Sequence, residues 1–378
     1  AMTNVQLTIK SNNTNVMQKR QKRLKIIEYL KTKLSRNGLL FLQETHSQAG
    51  DEIKWKDNFK GNLFFSHGKS NSCGVLIAYI GTKSVTLNKK LCDNDGRILI
   101  LDITIDSIDY ILINIYNANT EKEQIKVIKS LCELLKSLES FQNKRVVLAG
   151  DLNLHFDKKL EAKGGKPTFK KKSIAMLIEI FEEFDLCDIW RVRNPNNKNY
   201  TFHQKHFSGF IQRRLDYIFI SNFLQEFTHN ADIFPSVATD HSVITLSISG
   251  FKEMEKGPGL WKFNNSLIFD QNYITKLKNH IHSLKVDTSL DNNLDKQMKW
   301  EFIKYSIRIF TIKYSKGKAK EQKDKKQKLE QTLATLELDL STSMNYQLYE
   351  SCKNELEEIY DKIADGVKIR SRCDWYEK

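Results

Sequence analysis

Apolar residues along this chain follow two different rhythms, and the change near Gly250 divides it. Before that point, short apolar runs alternate with helical stripes. Val5-Gln6-Leu7-Thr8-Ile9-Lys10 alternates as a half-buried strand does, and from about Gln18 the residues Leu24, Ile27, Leu30 and Leu34 recur at helical spacing among lysines and arginines. Gly38 ends that basic amphipathic helix. Buried strands are then expected at Leu39-Leu40-Phe41-Leu42, at 74–79, at 97–103 and at 110–116, with Asp95-Gly96 marking a hairpin turn. A helix from about Lys122 to Leu138 shows Ile125, Ile128, Leu131 and Leu135 on one face. It leads to Arg145-Val146-Val147-Leu148-Ala149-Gly150-Asp151-Leu152-Asn153, a buried-type strand that delivers an acid and an amide where it ends. Residues 155–172 lack periodicity. A helix from Ser173 to Phe184 follows, then Tyr200-Thr201-Phe202-His203, a loop or hairpin over 204–212, a strand over 213–220 and a last one over 239–246. Strands alternating with helices in this way predict a layered α/β sandwich.

Beyond Gly250 the pattern becomes helical. Gly257-Pro258-Gly259 opens it, and Tyr273, Leu277, Ile281 and Leu284 form a first stripe. Leu329, Leu333, Leu336 and Leu340, then Leu348, Cys352, Leu356, Ile359 and Ile363, make two more around Ser341-Thr342-Ser343-Met344-Asn345. Such a pair predicts an antiparallel helical hairpin serving as a spacer or docking arm. The expected division is a sandwich domain over 1–250, a linker over 251–268 and an all-α arm over 269–378.

At 378 residues and 44.1 kDa the chain exceeds one typical domain, and 40% hydrophobic content with 21 Phe and 13 Tyr excludes a wholly disordered protein. A formal charge of +14 and a pI near 9.2 point to a polyanionic partner. The excess is clustered: residues 313–328 hold eight lysines against Glu321 and Asp324. The six cysteines show no C-x-x-C or other metal-like spacing and read as free thiols of a reducing compartment. No apolar run approaches the roughly 20 residues that cross a bilayer. A soluble, intracellular protein without membrane contact is expected.

Chemistry concentrates at strand ends. Asp151 and Asn153, two apart in an extended segment, face one side, so a carboxylate and a carboxamide can address one phosphate ester; the same Gly-Asp-x-Asn also occurs as plain turn chemistry. Glu44 ends another strand as a salt-bridge partner or a hard-metal ligand. Asp216, and Asp240 with His241, complete four such places, and acids with few cysteines favour Mg²⁺ or Mn²⁺ over zinc. Lys170, Lys171 and Lys172 close a seven-lysine stretch around Gly164-Gly165 that either touches a nucleic-acid backbone or forms a solvated loop.

Gln43-Glu44-Thr45, Asn114-Ile115-Tyr116, Gly150-Asp151-Leu152-Asn153, Arg214-Leu215-Asp216-Tyr217 and Asp240-His241-Ser242 occur in the order seen in the exonuclease–endonuclease–phosphatase superfamily. Together they most resemble the apurinic-like endonuclease domain of non-LTR (long interspersed element) retrotransposons. Residues 257–265 and 370–377 resemble the segment preceding such an element's reverse transcriptase. The resemblance implies a four-layer α/β sandwich, two packed sheets flanked by helices. It also implies roles. Glu44 would be the main Mg²⁺ ligand, with Asp240 and Asn12, and Mn²⁺ would substitute. Asp151 would activate the attacking water, Asn153 would orient it and the phosphate, and His241, held by Asp216, would stabilise charge on the pentavalent phosphate or move a proton. Tyr116 would bond the phosphate or leaving oxygen. Thr201, Arg213, Arg214 and the three lysines would lie along DNA, with 203–212 setting site preference.

The family's first strand usually ends in Asn-x-Asn or Asn-x-Asp before a glycine, whereas Lys10-Ser11-Asn12-Asn13 puts Lys10 where the first asparagine is expected. The implied function is a Mg²⁺-dependent endonuclease that nicks double-stranded DNA in the nucleus. The 3′-hydroxyl it leaves would prime reverse transcription by a C-terminal polymerase, with the basic arm on element RNA. Two rivals stand beside it: a catalytically impaired nucleic-acid-binding module, motivated by Lys10, and a phosphodiesterase of the same fold acting on a lipid headgroup.

Overall fold

The continuous apolar runs of the first 250 residues are strands buried on both faces, the usual outcome when helices cover both sides of a sheet stack. In the computed structural model, which describes residues 2–32, 34–56, 59, 61–69, 72–138, 141, 144–206, 209–254, 261–286, 295–340 and 342–376, two six-stranded sheets are formed. The first runs in the order β14 (Thr228–Phe234), β15 (Val243–Met254), β1 (Met2–Asn13), β2 (Asn37–Gln43), β4 (Val75–Ile80), β3 (Asn62–Ser66). The second runs β10 (Leu186–Asp188), β13 (Asp216–Ser221), β8 (Arg145–Asp151), β7 (Ile108–Tyr116), β6 (Ile98–Ile105), β5 (Val85–Cys92). A small sheet joins the hairpin of β11 (Phe202–His206) and β12 (Gly209–Arg213) to β9 (Ala162–Lys163).

Side-chain alternation sorts each strand between two cores. Leu39 and Phe41 of β2 point into the inter-sheet core with Leu7, Ile9, Leu112, Val147 and Ile218. Leu40 and Leu42 point outward, against Ile26, Ile27 and Leu30 of α1 (Arg20–Lys31). On the far side, Ile111, Ile113 and Leu148 pack against α3 (Glu121–Lys136) and α5 (Lys171–Glu183) through Ile128, Leu131, Leu135, Leu177 and Ile180. Helix, sheet, sheet, helix make the four-layer sandwich. Short helices α2 (Glu52–Lys56), α4 (Lys158–Glu161) and α6 (Ile189–Arg193) fill the connections.

Register then brings the functional ends together. Antiparallel pairing sets Asp216 of β13 opposite Asp151 of β8, and parallel pairing sets Tyr116 of β7 beside Asp151. In the other sheet, parallel β1 and β2 end side by side at Asn13 and Gln43. Gly150 is required where these strands converge, because its φ is +150° and a Cβ would sit 1.9 Å from the Ile115 carbonyl oxygen.

The helical region departs from the expected single arm. The chain falls into two units: Ala1–Glu255 with Leu329–Lys378, and Lys256–Lys328. The end of α8 (Lys296–Leu338) and α9 (Ser343–Tyr376) belong to the sandwich unit because their apolar stripes are covered by α1. Leu333, Leu356 and Tyr360 are buried, Tyr360 meets Tyr29 edge-on at 5.1 Å, and Lys25 pairs with Glu357 and Asp361 at 3.4 and 2.7 Å. In the second unit α7 (Gln271–Val286) meets α8 through Tyr273 and Thr311 at 2.8 Å and His280 and Ser306 at 2.9 Å. Residues 257–260, Ser341 and the side chains of 370–377, singled out from the sequence, lie outside the described residues.

β3, β5 and β14 escape the apolar pattern for one reason: they are strands with exposed faces, and β5 carries Thr86, Asn88, Lys89 and Lys90. The aperiodic 155–172 stretch contains α4, capped by Asp157, and β9. Cys73, Cys92, Cys132, Cys187 and Cys352 are free thiols. Among the described residues no helix is long and apolar enough to cross a membrane.

Since Leu356 is fully buried against α1's layer, Leu356→Ala should destabilise the chain by about 2–5 kcal/mol. Urea denaturation should show that loss in the transition of the sandwich itself; an unchanged sandwich transition would mean that α9 does not belong to its core.

Candidate active site at the converging strand ends

One carboxamide joins the two sheets. Asn13 Nδ2 donates to Glu44 Oε1 and to Asp151 Oδ2, both at 2.9 Å, so the end of β1 ties the end of β2 to the end of β8. Asp151 is almost fully buried, and its Oδ1 accepts from the Asn153 amide at 2.8 Å. Asn153 adopts φ +51° and donates from Nδ2 to the Asn117 carbonyl at 2.9 Å; Glu44 likewise sits at φ +51°. Non-glycine residues in this left-handed region are strained unless their surroundings over-determine them, and such positions cluster at functional sites. Burial, and next the neighbouring Asp216 carboxylate, hold the Asp151 carboxyl well above the ordinary carboxylate range.

Asp216 and His241 form the second half. His241 Nδ1 lies 2.8 Å from Asp216 Oδ2, and both side chains are buried. Burial by itself would lower the imidazole's pKa, but Asp216, then Asp151 and Asp240, overcome it and raise the value to about 10. His241 is therefore an imidazolium between two acids. Ligand atoms of Asp151, Asp216 and His241 all lie within 4.8 Å of one another, with the Asp216 carboxylate already engaged on the ring's Nδ1. We read this trio as a charge-balanced acid–base cluster. Thr201 fixes its backbone: its hydroxyl accepts from the amides of Leu215 and Asp216 at 2.9 and 3.0 Å, and its carbonyl accepts from Ser242 at 2.6 Å.

On the solvent side, Asn15 Nδ2 donates to Asp240 Oδ1 at 3.3 Å. The Lys22 ammonium donates to the Asn15 carbonyl and feels the charges of Asp240, Glu357 and Glu44, although burial lowers its pKa. The Lys22 ammonium thus rests on the Asn15 carbonyl within electrostatic reach of the Asp240 and Glu44 carboxylates. Those hard donors fit Mg²⁺ or Mn²⁺ and not zinc. Tyr116, nearly buried, stays a neutral donor because burial and then the Glu44 carboxylate raise its pKa.

The first strand corrects the sequence reading. Asn12 faces away from the cleft, where its Oδ1 accepts from Ser236 at 3.1 Å. Lys10 shares that face; its ammonium donates to the Leu30 carbonyl at 2.7 Å and lies over the Phe234 ring. Asn13-Thr14-Asn15 spells the Asn-x-Asn three residues later, and that repeat was the signal available in the sequence. Lys10 thus lies on the outer face of β1, away from the end where Asn13 meets Glu44 and Asp151.

The expected DNA contacts also change. Arg214 is fully buried in ion pairs with Glu161 and Asp188, and the Arg213 guanidinium donates to the carbonyls of Lys163, Gln212 and Gly164. With Thr201 they brace the cleft from behind, their guanidinium groups turned to acceptors within the protein. Lys170 Nζ binds the carbonyls of Asn119 and Asn153 at 2.7 and 2.6 Å, steadying the Asn153 turn. Lys171 and Lys172 remain exposed beside it.

The model of the Endonuclease/Exonuclease/phosphatase family matches residues 4–241. The chain belongs to this family. It is 25% identical over 369 residues to the Transposon TX1 uncharacterized 149 kDa protein of Xenopus laevis, a match covering 97% of this chain and 27% of that protein. The chain thus spans about a quarter of that relative's length. Among solved structures, the AP endonuclease LMAP from Leishmania major is similar at a TM-score of 0.53 and 18% identity, over 65% of this chain and 88% of that one. The 3′-5′ exonuclease NExo from Neisseria meningitidis is similar at 0.50 and 15%, over 64% and 100%. At these identities the likeness is one of fold.

Asp216→Asn removes the charge that raises His241, so the ring should titrate well below 10, observable as the pH dependence of its ring-proton resonance. Because the folded value lies above the ordinary 6.5, the pairing stabilises the fold fully below about pH 6.5 and is lost as pH rises through 10. The variant should therefore lose more stability at pH 6 than at pH 10. An unmoved ring titration would overturn the pairing.

Proposed function

We propose that this chain is the endonuclease portion of a non-LTR retrotransposon protein, a Mg²⁺-dependent phosphodiesterase that nicks DNA in the nucleus. The 3′-hydroxyl it leaves primes reverse transcription of the element's RNA by a downstream polymerase. The observation that carries the reading is the Asn13 bridge between Glu44 and Asp151, with the Asp216–His241 pair opposite Asp151. The similarity to a transposon protein supports the wider setting.

In this reading Asp151, a carboxylate with a raised proton affinity, takes the proton of the attacking water. Asn13 and Asn153 orient that water and a phosphoryl oxygen. The bond from phosphorus to water oxygen forms as the bond to the 3′ oxygen breaks, and the imidazolium of His241 faces the negative charge that develops on the phosphoryl group. Tyr116 donates a hydrogen bond to the leaving 3′ oxygen, which departs, takes a proton from solvent water to become the 3′-hydroxyl, and leaves a 5′-phosphate. Glu44, Asp240 and Asn15 would hold the divalent cation, whose chemistry is Lewis-acid polarisation of the phosphate. Exposed Lys171 and Lys172 and the net positive charge favour a DNA backbone, and the lysines of α8 suit the element RNA.

With Mg²⁺, the chain should convert supercoiled plasmid to nicked circles whose cut ends are extendable by a polymerase, and chelation should stop it. Asp151→Ala should slow nicking by about 10²- to 10⁴-fold. Plasmid left intact where a related active domain cuts would refute the proposal.

A further inference from the structure

The loop carrying Asp240 and His241 is gripped from outside by the C-terminal helices at three points. The Ala238 amide donates to Glu357 Oε1 at 2.8 Å, and Lys353 Nζ donates to the Thr239 carbonyl at 2.6 Å. Ser242 Oγ lies 3.2 Å from both carboxylate oxygens of Glu337. On its inner side the same loop is tied through the Ser242 amide to Thr201, whose hydroxyl accepts from the Asp216 amide. A continuous series of hydrogen bonds therefore leads from α8, through the loop, to the Asp216–His241 pair.

Glu337 is an unusual residue for its place. It lies next to Leu333 and Leu340 on a stripe that buries apolar side chains, and it is itself only 7% exposed. Its close partners are the hydroxyls of Ser242 and Tyr349 (3.1 Å), with His203 Nε2 at 3.6 Å. His203 in turn lies beside Ser242 Oγ, and its own amide donates to the Asp240 carbonyl at 3.2 Å. A leucine there would keep the apolar packing of the stripe but would leave the Ser242 and Tyr349 hydroxyls without their acceptor. What a buried polar network adds is a single geometry. Here that geometry belongs to the loop bearing His241.

We infer that Glu337, Lys353 and Glu357 are positioning residues of the nuclease centre: by holding residues 238–242, the C-terminal helices set Asp240 and His241 for phosphodiester hydrolysis. The inference rests on the nuclease reading for its effect on rate, but not for the grip itself. It makes residues 329–357 part of the working enzyme, so that a shift of α9 is felt at His241.

The test uses the full chain with Glu337→Leu, Glu337→Gln and, on the other helix, Lys353→Met. Hydrogen exchange of the 238–242 amides, urea denaturation and Mg²⁺-dependent nicking are measured for each. Glu337→Leu should leave the chain folded in the absence of urea but with a lowered urea midpoint, speed exchange in the loop about tenfold, and lower kcat of the folded protein about 10- to 100-fold with KM nearly unchanged. Glu337→Gln keeps an acceptor for Ser242 and should restore both readouts; Lys353→Met should repeat the Leu phenotype in milder form. Wild-type exchange and kcat in both Glu337→Leu and Lys353→Met, or losses in kcat that merely follow the folded fraction, would overturn the inference. If the wild-type chain does not nick, the functional reading falls while loop exchange still decides the grip.

Discussion

Two carboxylates from different sheets converge on one cleft, and the Asn13 carboxamide is what lets them do so. Like charges at the ends of β2 and β8 repel, most strongly where burial lowers the local dielectric. A single NH₂ group that donates to both converts that repulsion into a shared attachment. The amide supplies direction without charge. The relative placement of the two sheets at their functional ends follows from this contact as much as from the apolar core between them.

Charge balance is the second constraint, and it is solved locally. Asp151 and Asp216 face each other across paired strands, so both cannot ionise freely in a buried site. His241 lies between them as a cation, and its proton is held by Asp216 from one ring nitrogen. Asp216 Oδ1 has no hydrogen-bond partner while buried, which leaves the carboxylate unbalanced by anything except the imidazolium. The pairing fixes the ring, and the Thr201 hydroxyl holds its backbone frame. Behind it, the Arg214 ion pairs with Glu161 and Asp188 and the Arg213 contacts to backbone carbonyls brace the wall from which β13 emerges.

Most of the site was legible in the chain because strand ends announce themselves. The runs that end at Gln43, Asp151 and Tyr116 are buried on both faces, and their terminal acids and amides stand out against that background. The first strand was harder: Lys10 and Asn12 differ from Asn13 only in parity, and a shift of one residue in an extended segment exchanges the two faces of a sheet. Nothing local to Lys10-Ser11-Asn12-Asn13 fixes that parity; the pairing with β2 and β15 does. Arginines were misread for a related reason. A guanidinium looks the same in sequence whether its acceptors are phosphates or, as here, carboxylates and carbonyls drawn from positions 161–164 and 188. The edge strand β5 was invisible because polar residues suffice where one face meets water.

The C-terminal helices show why a domain boundary drawn on composition fails. Leu40, Leu42 and Ala78 point away from the inter-sheet core, and α1 is too short to cover them alone; Leu333, Leu356 and Tyr360 complete the layer. A sandwich cut at Gly250 would leave that apolar surface to water, and surfaces of this kind seek another partner. The leucine stripes of 329–363 therefore owe their spacing to the sheet they help bury, and the same helices bring Glu337, Lys353 and Glu357 against the loop of His241. Fold completion and site geometry meet in one segment: the apolar face of the hairpin packs into the outer layer formed with α1, and its few polar side chains reach the loop of Asp240 and His241.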